Sequence, residues 1–150
     1  MKNRNLRFYA IAALWLVLFV LLFVSNFRID LKADINESSV VSVRIEDTVS
    51  LSPSEVASSA YMANDPVYQQ LSGILQNASC YKKFNQNAVN YSHEYEAHCV
   101  TLRFADGQNA HLLLTVYSDG VCQANGKFVT LRSPDGDAAE IYQLLRDAVA

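Results

Sequence analysis

The chain has 150 residues, of which 12 are lysine or arginine and 15 are aspartate or glutamate, for a formal net charge of −3. This length indicates one domain. After Phe27 the chain carries nine basic and fifteen acidic residues, a net charge of −6. That balance argues against nucleic acid as a partner, because contacts with phosphates require a basic patch.

The N-terminus contains an apolar run that predicts a transmembrane helix over residues 8–27. The run is 20 residues long and is interrupted only by Ser25 and Asn26. Since a helix rises about 1.5 Å per residue, roughly 20 apolar residues cross the hydrocarbon core of a bilayer. Basic residues occur in 1–7 without an acidic one. The positive-inside rule therefore predicts that 1–7 form a cytoplasmic tail and that the C-terminal domain lies outside the cell membrane.

The same segment could instead be a signal peptide that is removed. Cleavage requires small residues at two positions just after the apolar core, and the sequence after Val24 shows no such pair. The first cysteine is Cys80, so no lipoprotein attachment site follows the core. A pilin-like shaft is excluded because the segment lacks the Gly-Phe pair and the Glu of those subunits. A retained anchor is favoured, and a cleaved signal remains the alternative.

The polar residues 28–39 are predicted to form a juxtamembrane linker, and an extracytoplasmic domain is predicted over 40–150. Its first element is a strand in "VVSVRIED", where Val41, Val43 and Ile45 alternate with polar residues. The "SPSE" sequence at 52–55 has the pattern of a capping box with proline at the first helical position. It predicts a short helix that ends near Met62.

A second helix is predicted from "NDPVYQQLSGILQNAS", with Asp65 as its N-cap and Pro66 as its first residue. An apolar stripe along it is formed by Val67, Leu71, Ile74 and Leu75, with Tyr68 beside it. The Asn-rich segment 81–94 has no apolar period and is predicted to be a mobile loop.

Four strands are predicted next. The segments "YEAHCVTLRF" and "AHLLLTVY" form a hairpin in which Phe104 pairs with Ala110, so that the apolar residues of both strands share one face. The segments "VCQA" and "KFVTLR" form another, joined by the turn dipeptide Asn125–Gly126.

A final helix is predicted after a capping box made by Asp137 and Glu140. Ile141, Leu144 and Leu145 have helical spacing within it. Consecutive hairpins imply an antiparallel sheet. The predicted fold is therefore α+β, a two-layer sandwich of an antiparallel sheet with helices on one face, preceded by one transmembrane helix.

This layout resembles small exported domains of unknown function from low-GC Gram-positive bacteria, which are attached to lipoprotein or membrane-anchor leaders. The matching pieces are "VVSVRIED", "NDPVYQQLSGIL", "VTLRFADGQNAHLLLTVYSDGVCQANGKFVTL" and "IYQLLRDAV", within residues 38–150. The resemblance implies the fold and a location in the bacterial envelope, and it supplies no catalytic residue. The chain lacks the lipobox of the lipoprotein members, so its attachment would differ.

Three cysteines allow at most one intramolecular disulfide. Cys122 is expected on the same sheet face as Leu114 and Cys99 on the other, which disfavours a bond between them. Cys80–Cys122 is the preferred pairing, and Cys80–Cys99 and three unpaired thiols remain open.

Other candidate sites are weaker. His93, His98, Cys99 and His111 lack the spacing of zinc ligands, and no metal or cofactor is expected. No nucleophile motif or phosphate-binding loop occurs, so an enzyme is not expected.

Aromatic residues beside the Asn-rich loop are a candidate contact surface for a glycan or protein; they are Tyr81, Phe84, Tyr91 and Tyr95. The alternative is that these side chains pack on the sheet. The hypothesis is a membrane-anchored domain for binding, sensing or accessory interaction with an unknown protein or envelope ligand. A structural subunit that uses its transmembrane helix as an interface is the competing hypothesis.

Overall fold

The computed structural model describes residues 2–49, 52–83, 97–134 and 136–149, with side chains for 8–23, 27–47, 57–83, 98–134 and 136–149. In chain order the elements are α1 Lys2–Phe27, β1 Arg28–Ile29, α2 Leu31–Asn36, β2 Val40–Val49, β3 Ser52–Met62, α3 Pro66–Gln76, β4 Ser79–Lys82, β5 Ala97–Asp106, β6 Asn109–Tyr117, β7 Cys122–Ala124, β8 Lys127–Arg132 and α4 Ala138–Val149.

The eight strands form one antiparallel sheet in the order β1-β4-β8-β7-β6-β5-β2-β3. Helices α2, α3 and α4 contribute to the same core as the inward side chains of the sheet. Among the fully buried members of this core are Val41, Leu71, Leu75, Val100, Leu102, Phe104, Leu112, Leu114, Val116, Ile141 and Leu145. The predicted α+β class with an antiparallel sheet is confirmed.

Helix α1 covers the N-terminal apolar run, and its described side chains are all exposed from Phe8 to Phe23. Among the residues that the structure describes, no helix is both long and apolar enough to cross a membrane.

The predicted linker over 28–39 is wrong, because most of it is folded into the domain. Arg28–Ile29 form β1, and α2 follows immediately with Asp30 as its N-cap, whose Oδ1 accepts from the Ala33 amide at 3.2 Å. Leu31 and Ile35 are only 2% and 1% exposed. Their i, i+4 spacing places both on one helical face, which packs into the core.

The helix predicted over 52–62 is also wrong, because this segment forms strand β3. All along its length β3 pairs with β2, from Val49–Ser52 to Val40–Met62. Local capping signals are weak compared with a ladder of hydrogen bonds along a whole strand. Pro53 is tolerated because β3 lies at the edge of the sheet, where a strand bonds on only one side.

The predicted loop over 81–94 begins too early. Tyr81 and Lys82 belong to strand β4, which lies between β1 and β8. A strand of four residues with a single buried side chain, Cys80, has too little alternation to be predicted from its sequence. The remainder of the predicted loop, from residue 84 onwards, lies outside the described residues.

The predicted β5–β6 hairpin is present, with its register moved by two residues. Phe104 pairs with Leu112, and Ala105 pairs with Ala110 after an irregularity between Phe104 and Ala105. A shift of two residues preserves the face of every side chain, so the shared apolar face is confirmed. The turn at Asn125–Gly126 is also confirmed, and φ angles of 50° and 74° suit a two-residue hairpin.

The caps predicted for α3 and α4 are confirmed, unlike the capping box predicted at 52–55. Asp65 Oδ1 accepts from the Val67 amide at 2.8 Å at the start of α3. At α4, the Asp137 amide donates to Glu140 Oε2 at 3.1 Å and Asp137 Oδ1 accepts from the Ala139 amide at 3.0 Å. Of the residues with helical spacing in α4, Ile141 and Leu145 are buried, whereas Leu144 is 45% exposed.

Candidate functional site

The main candidate site is a cavity of about 260 Å³ at the N-terminus of α4. It lies where α4 meets β8 and the turn between β6 and β7, and we call it the α4 pocket. Its lining residues are Lys83, Asp119, Gly120, Val129, Thr130, Leu131, Arg132, Asp137, Ala138 and Ala139. These residues come from four separate stretches of the chain, and only the fold brings them together.

Both carboxylates of the α4 pocket hold the backbone that surrounds it. Asp119 Oδ1 accepts from the Val121 amide at 3.0 Å, which fixes the turn before β7. Asp137 is the N-cap of α4. Gly120 has φ of 84°, a conformation that favours glycine. The pocket is therefore a polar concavity bordered by hydrogen-bonded turns, and it is smaller than the roughly 300–1,000 Å³ of typical small-molecule sites.

The three cysteines are free and buried, so neither predicted disulfide is formed. Strand β8 separates Cys80 on β4 from Cys122 on β7. Two strand spacings are roughly 9–10 Å, whereas the Cα atoms of a disulfide lie within about 7 Å. The alternative partner, Cys99, is on β5, four strands from β4.

Burial makes these thiols poor nucleophiles at neutral pH. It raises the pKa of Cys80 and of Cys122 to about 12, even though Lys83 acts in the opposite direction on Cys122. Because the thiolate is the reactive form, neither side chain is suited to covalent chemistry. The predicted sheet faces are confirmed, since Cys122 is in the core with Leu114.

Cys99 lies on the other face of the sheet, between residues of the two neighbouring strands. It pairs with Glu46 of β2 and with Tyr117 of β6, and its thiol donates to Glu46 Oε2 at 3.8 Å. Burial and the Glu46 carboxylate raise the pKa of Cys99 to about 11. Burial, Cys99 and Glu46 also raise the pKa of Tyr117. Both groups are protonated at neutral pH in any case, and this row of side chains moves both pKa values further from it.

The described histidines each lie beside an acidic residue. His98 Nδ1 is 2.6 Å from Asp47 Oδ1, and His111 Nδ1 is 3.5 Å from Glu37 Oε2. Within the part of the chain that the structure describes, no three potential ligands converge on a metal position. His93 lies outside that part.

The structure describes one residue of the predicted aromatic surface. Tyr81 is 39% exposed on β4, opposite Arg28 and Thr130 on its neighbours. Phe84, Tyr91 and Tyr95 lie outside the described residues.

Comparisons of the chain with protein-family models, with curated proteins and with solved structures found no match. The resemblance to exported Gram-positive domains therefore stays a prediction, and function is inferred from the chain's own geometry.

Sequence reasoning missed the α4 pocket. Asp137 was predicted as a cap and is one, but no local pattern shows that it shares a cavity with Asp119. It also missed a group of cations formed where β1, β4 and β8 meet, because two of these strands were not predicted.

Proposed function

We propose that this protein is a single-pass membrane protein whose α+β domain is held outside the cytoplasm and acts in binding, sensing or accessory interaction. The observation that carries the proposal is the surface of α1. Every large apolar side chain described between Phe8 and Phe23 is exposed, by 43% to 70%. A continuous apolar surface of this kind is a membrane or protein contact rather than a surface for water.

The extent of the helix supports a bilayer as the main partner of α1. The helical backbone continues to Phe27, and so does the apolar run of the sequence. At about 1.5 Å per residue, the 20 residues of 8–27 reach roughly 30 Å, the thickness of the hydrocarbon core. The basic residues before the helix favour a cytoplasmic N-terminus.

The domain begins without a flexible connection. Arg28 directly follows the last residue of α1 and is already paired with β4. The domain is consequently presented close to the surface of the bilayer. There the α4 pocket offers a small polar concavity for a ligand or for a side chain of a protein partner.

Cell fractionation tests this proposal. The full chain is expected to stay in the membrane pellet after an alkaline wash, and a membrane-impermeant amine reagent applied to intact cells should label its domain. A chain that starts at Arg28 is the matched control and should be in the soluble fraction with its fold intact. Release of the full chain by the alkaline wash would contradict the proposal.

A second comparison separates a binding domain from a structural subunit that associates through α1. A partner cross-linked to the full chain in cells should also bind the purified chain that starts at Arg28. If the correctly folded domain did not bind this partner, the interface would lie on α1 instead.

A further inference from the structure

The pairing of β1 and β4 brings cations to the end of the sheet where α1 joins it. Arg28 is opposite Tyr81, and Ile29 is opposite Cys80. Because the two strands are antiparallel, Lys82 lies one residue beyond Tyr81 in the direction of α1. The first residue of the sheet and the last residue of β4 are therefore neighbours, and both are basic.

Strand β8 adds a further cation at the same end. Lys82 is opposite Val129, and the Lys83 amide donates to the Phe128 carbonyl at 3.0 Å. Lys127 precedes Phe128 at the start of β8 and is exposed. Since strands are about 4.8 Å apart, Lys127 lies roughly 10 Å across the sheet from the line of β1. We call Arg28, Lys82 and Lys127 the basic end; Lys83 is next to it in the chain but lines the α4 pocket.

The charge of the basic end differs from that of the whole domain. Strands β1, β4 and β8 contain four basic residues and no acidic one, although the chain after Phe27 has a net charge of −6. Acidic side chains are also described near this end: Asp30 directly follows β1, whereas Glu37 lies against His111 of β6 and Asp106 ends β5, three strands from β8. The side of the sheet that adjoins α1 is consequently positive.

We propose that the basic end binds the anionic headgroups of the bilayer that holds α1. This inference rests on the proposed membrane insertion of α1, which places Arg28 at the boundary between hydrocarbon and headgroups. Cations next to a membrane helix are attracted to anionic lipids, and each one near the surface strengthens the association by about fivefold. Headgroup contact orients the domain on the membrane in addition to tethering it there.

Amine modification of the full chain in lipid nanodiscs tests the inference. The nanodiscs contain phosphatidylcholine alone or phosphatidylcholine with phosphatidylglycerol, and mass spectrometry gives the acylation rate of each lysine. We expect the rates of Lys82 and Lys127 to be about fivefold lower in the anionic nanodiscs. Molar salt should remove the difference, because it shortens the screening length to about 3 Å.

Two substitutions on β8 distinguish a local surface from total charge. Lys127→Gln should raise the rate of Lys82 in anionic nanodiscs towards that in neutral ones. Arg132→Gln is the matched control, since it removes one charge at the other end of the same strand, opposite Ser79. It should leave the rate of Lys82 unchanged.

Trp15, within α1, reports on the anchor separately. Brominated lipids should quench its fluorescence in both kinds of nanodisc. Quenching with equal lysine rates in the two lipids would overturn the headgroup contact and leave the anchor standing. An equal effect of Lys127→Gln and Arg132→Gln would also overturn it. Unquenched Trp15 would overturn the anchor and the headgroup contact together.

Discussion

Strand β1 ends the sheet beside α1 and has two residues, whereas β3 ends it on the far side and has eleven. An edge strand exposes backbone groups that can pair with other chains. The β1 edge is short and begins with a charged residue, Arg28. The β3 edge is long and has no charge from Val56 to Met62. The β1 edge is protected from such pairing by its short length and its charge. Protection of the β3 edge depends on Pro53 and Glu55 near its start.

The two sides also differ in the sign of their charge. Every charged residue of β1, β4 and β8 is basic. Strands β2 and β3 contain one basic residue, Arg44, and three acidic ones, which are Glu46, Asp47 and Glu55. The region next to α1 is therefore positive, although the chain after Phe27 has a net charge of −6. Overall composition is therefore a poor guide to the partners of one surface.

The largest expected effect comes from removing the side of the domain that adjoins α1. A chain that starts at Arg28 should fold, whereas one that starts at Val40 should lose cooperative unfolding in urea. The shorter chain lacks β1, Leu31 and Ile35, and each buried aliphatic side chain lost costs about 2–5 kcal/mol. Equal urea midpoints for the two chains would show that α2 is dispensable.

A single substitution in α2 tests whether this helix belongs to the core. Ile35→Ala should lower the free energy of unfolding by about 3 kcal/mol, because Ile35 is 1% exposed. Leu144→Ala is the control on α4 and should cost less than about 1 kcal/mol, since Leu144 is 45% exposed. Denaturant titrations measure both, and a reversed order would contradict the assignment of α2 to the core.

We expect the fold to lose stability in alkali because two buried thiols have raised pKa values. The folded-state pKa of Cys80 and of Cys122 is raised from 9.0 to about 12. Their contribution is therefore fully present below pH 9 and is lost as pH rises from about 9 to about 12, because the unfolded chain releases these protons first. Unfolding free energies measured across this window should fall less steeply for the double variant Cys80→Ala, Cys122→Ala. Identical slopes would refute the shifted pKa values.

The smallest effect is expected on the β3 edge. Ser58 is exposed and lies opposite Arg44. Ser58→Glu should be more stable than Ser58→Lys by about 0.5 kcal/mol, since opposite charges on paired residues attract. Thermal unfolding of both variants at low salt measures the difference. If Ser58→Lys were the more stable one, the register of β2 with β3 would be in doubt.

The sequence was sufficient to predict the middle of the sheet and insufficient at its edges. Strands β5, β6 and β8 alternate apolar and polar residues over enough length to show their period. Strand β1 is too short for a period, and the local helix signal of β3 was overridden by pairing with β2. Helix α2 did leave a signal, because Asp30 precedes an i, i+4 pair of apolar residues, Leu31 and Ile35.

The candidate sites depend on those missed elements. Lys82 and Lys127 are far apart in the sequence and meet only because β4 pairs with β8. Arg28 joins them only through β1. The α4 pocket likewise combines stretches around Lys83, Asp119 and Asp137. Residue type and spacing within one segment cannot predict such groups, since their geometry is set by long-range strand pairing.

The central claim is that α1 is retained and holds the domain on the membrane. The most direct measurement is the N-terminal sequence of the mature protein from the membrane and secreted fractions of cells. We expect a membrane-bound protein that still contains residues 1–27. A secreted protein with a new N-terminus beyond Ser25 would contradict it.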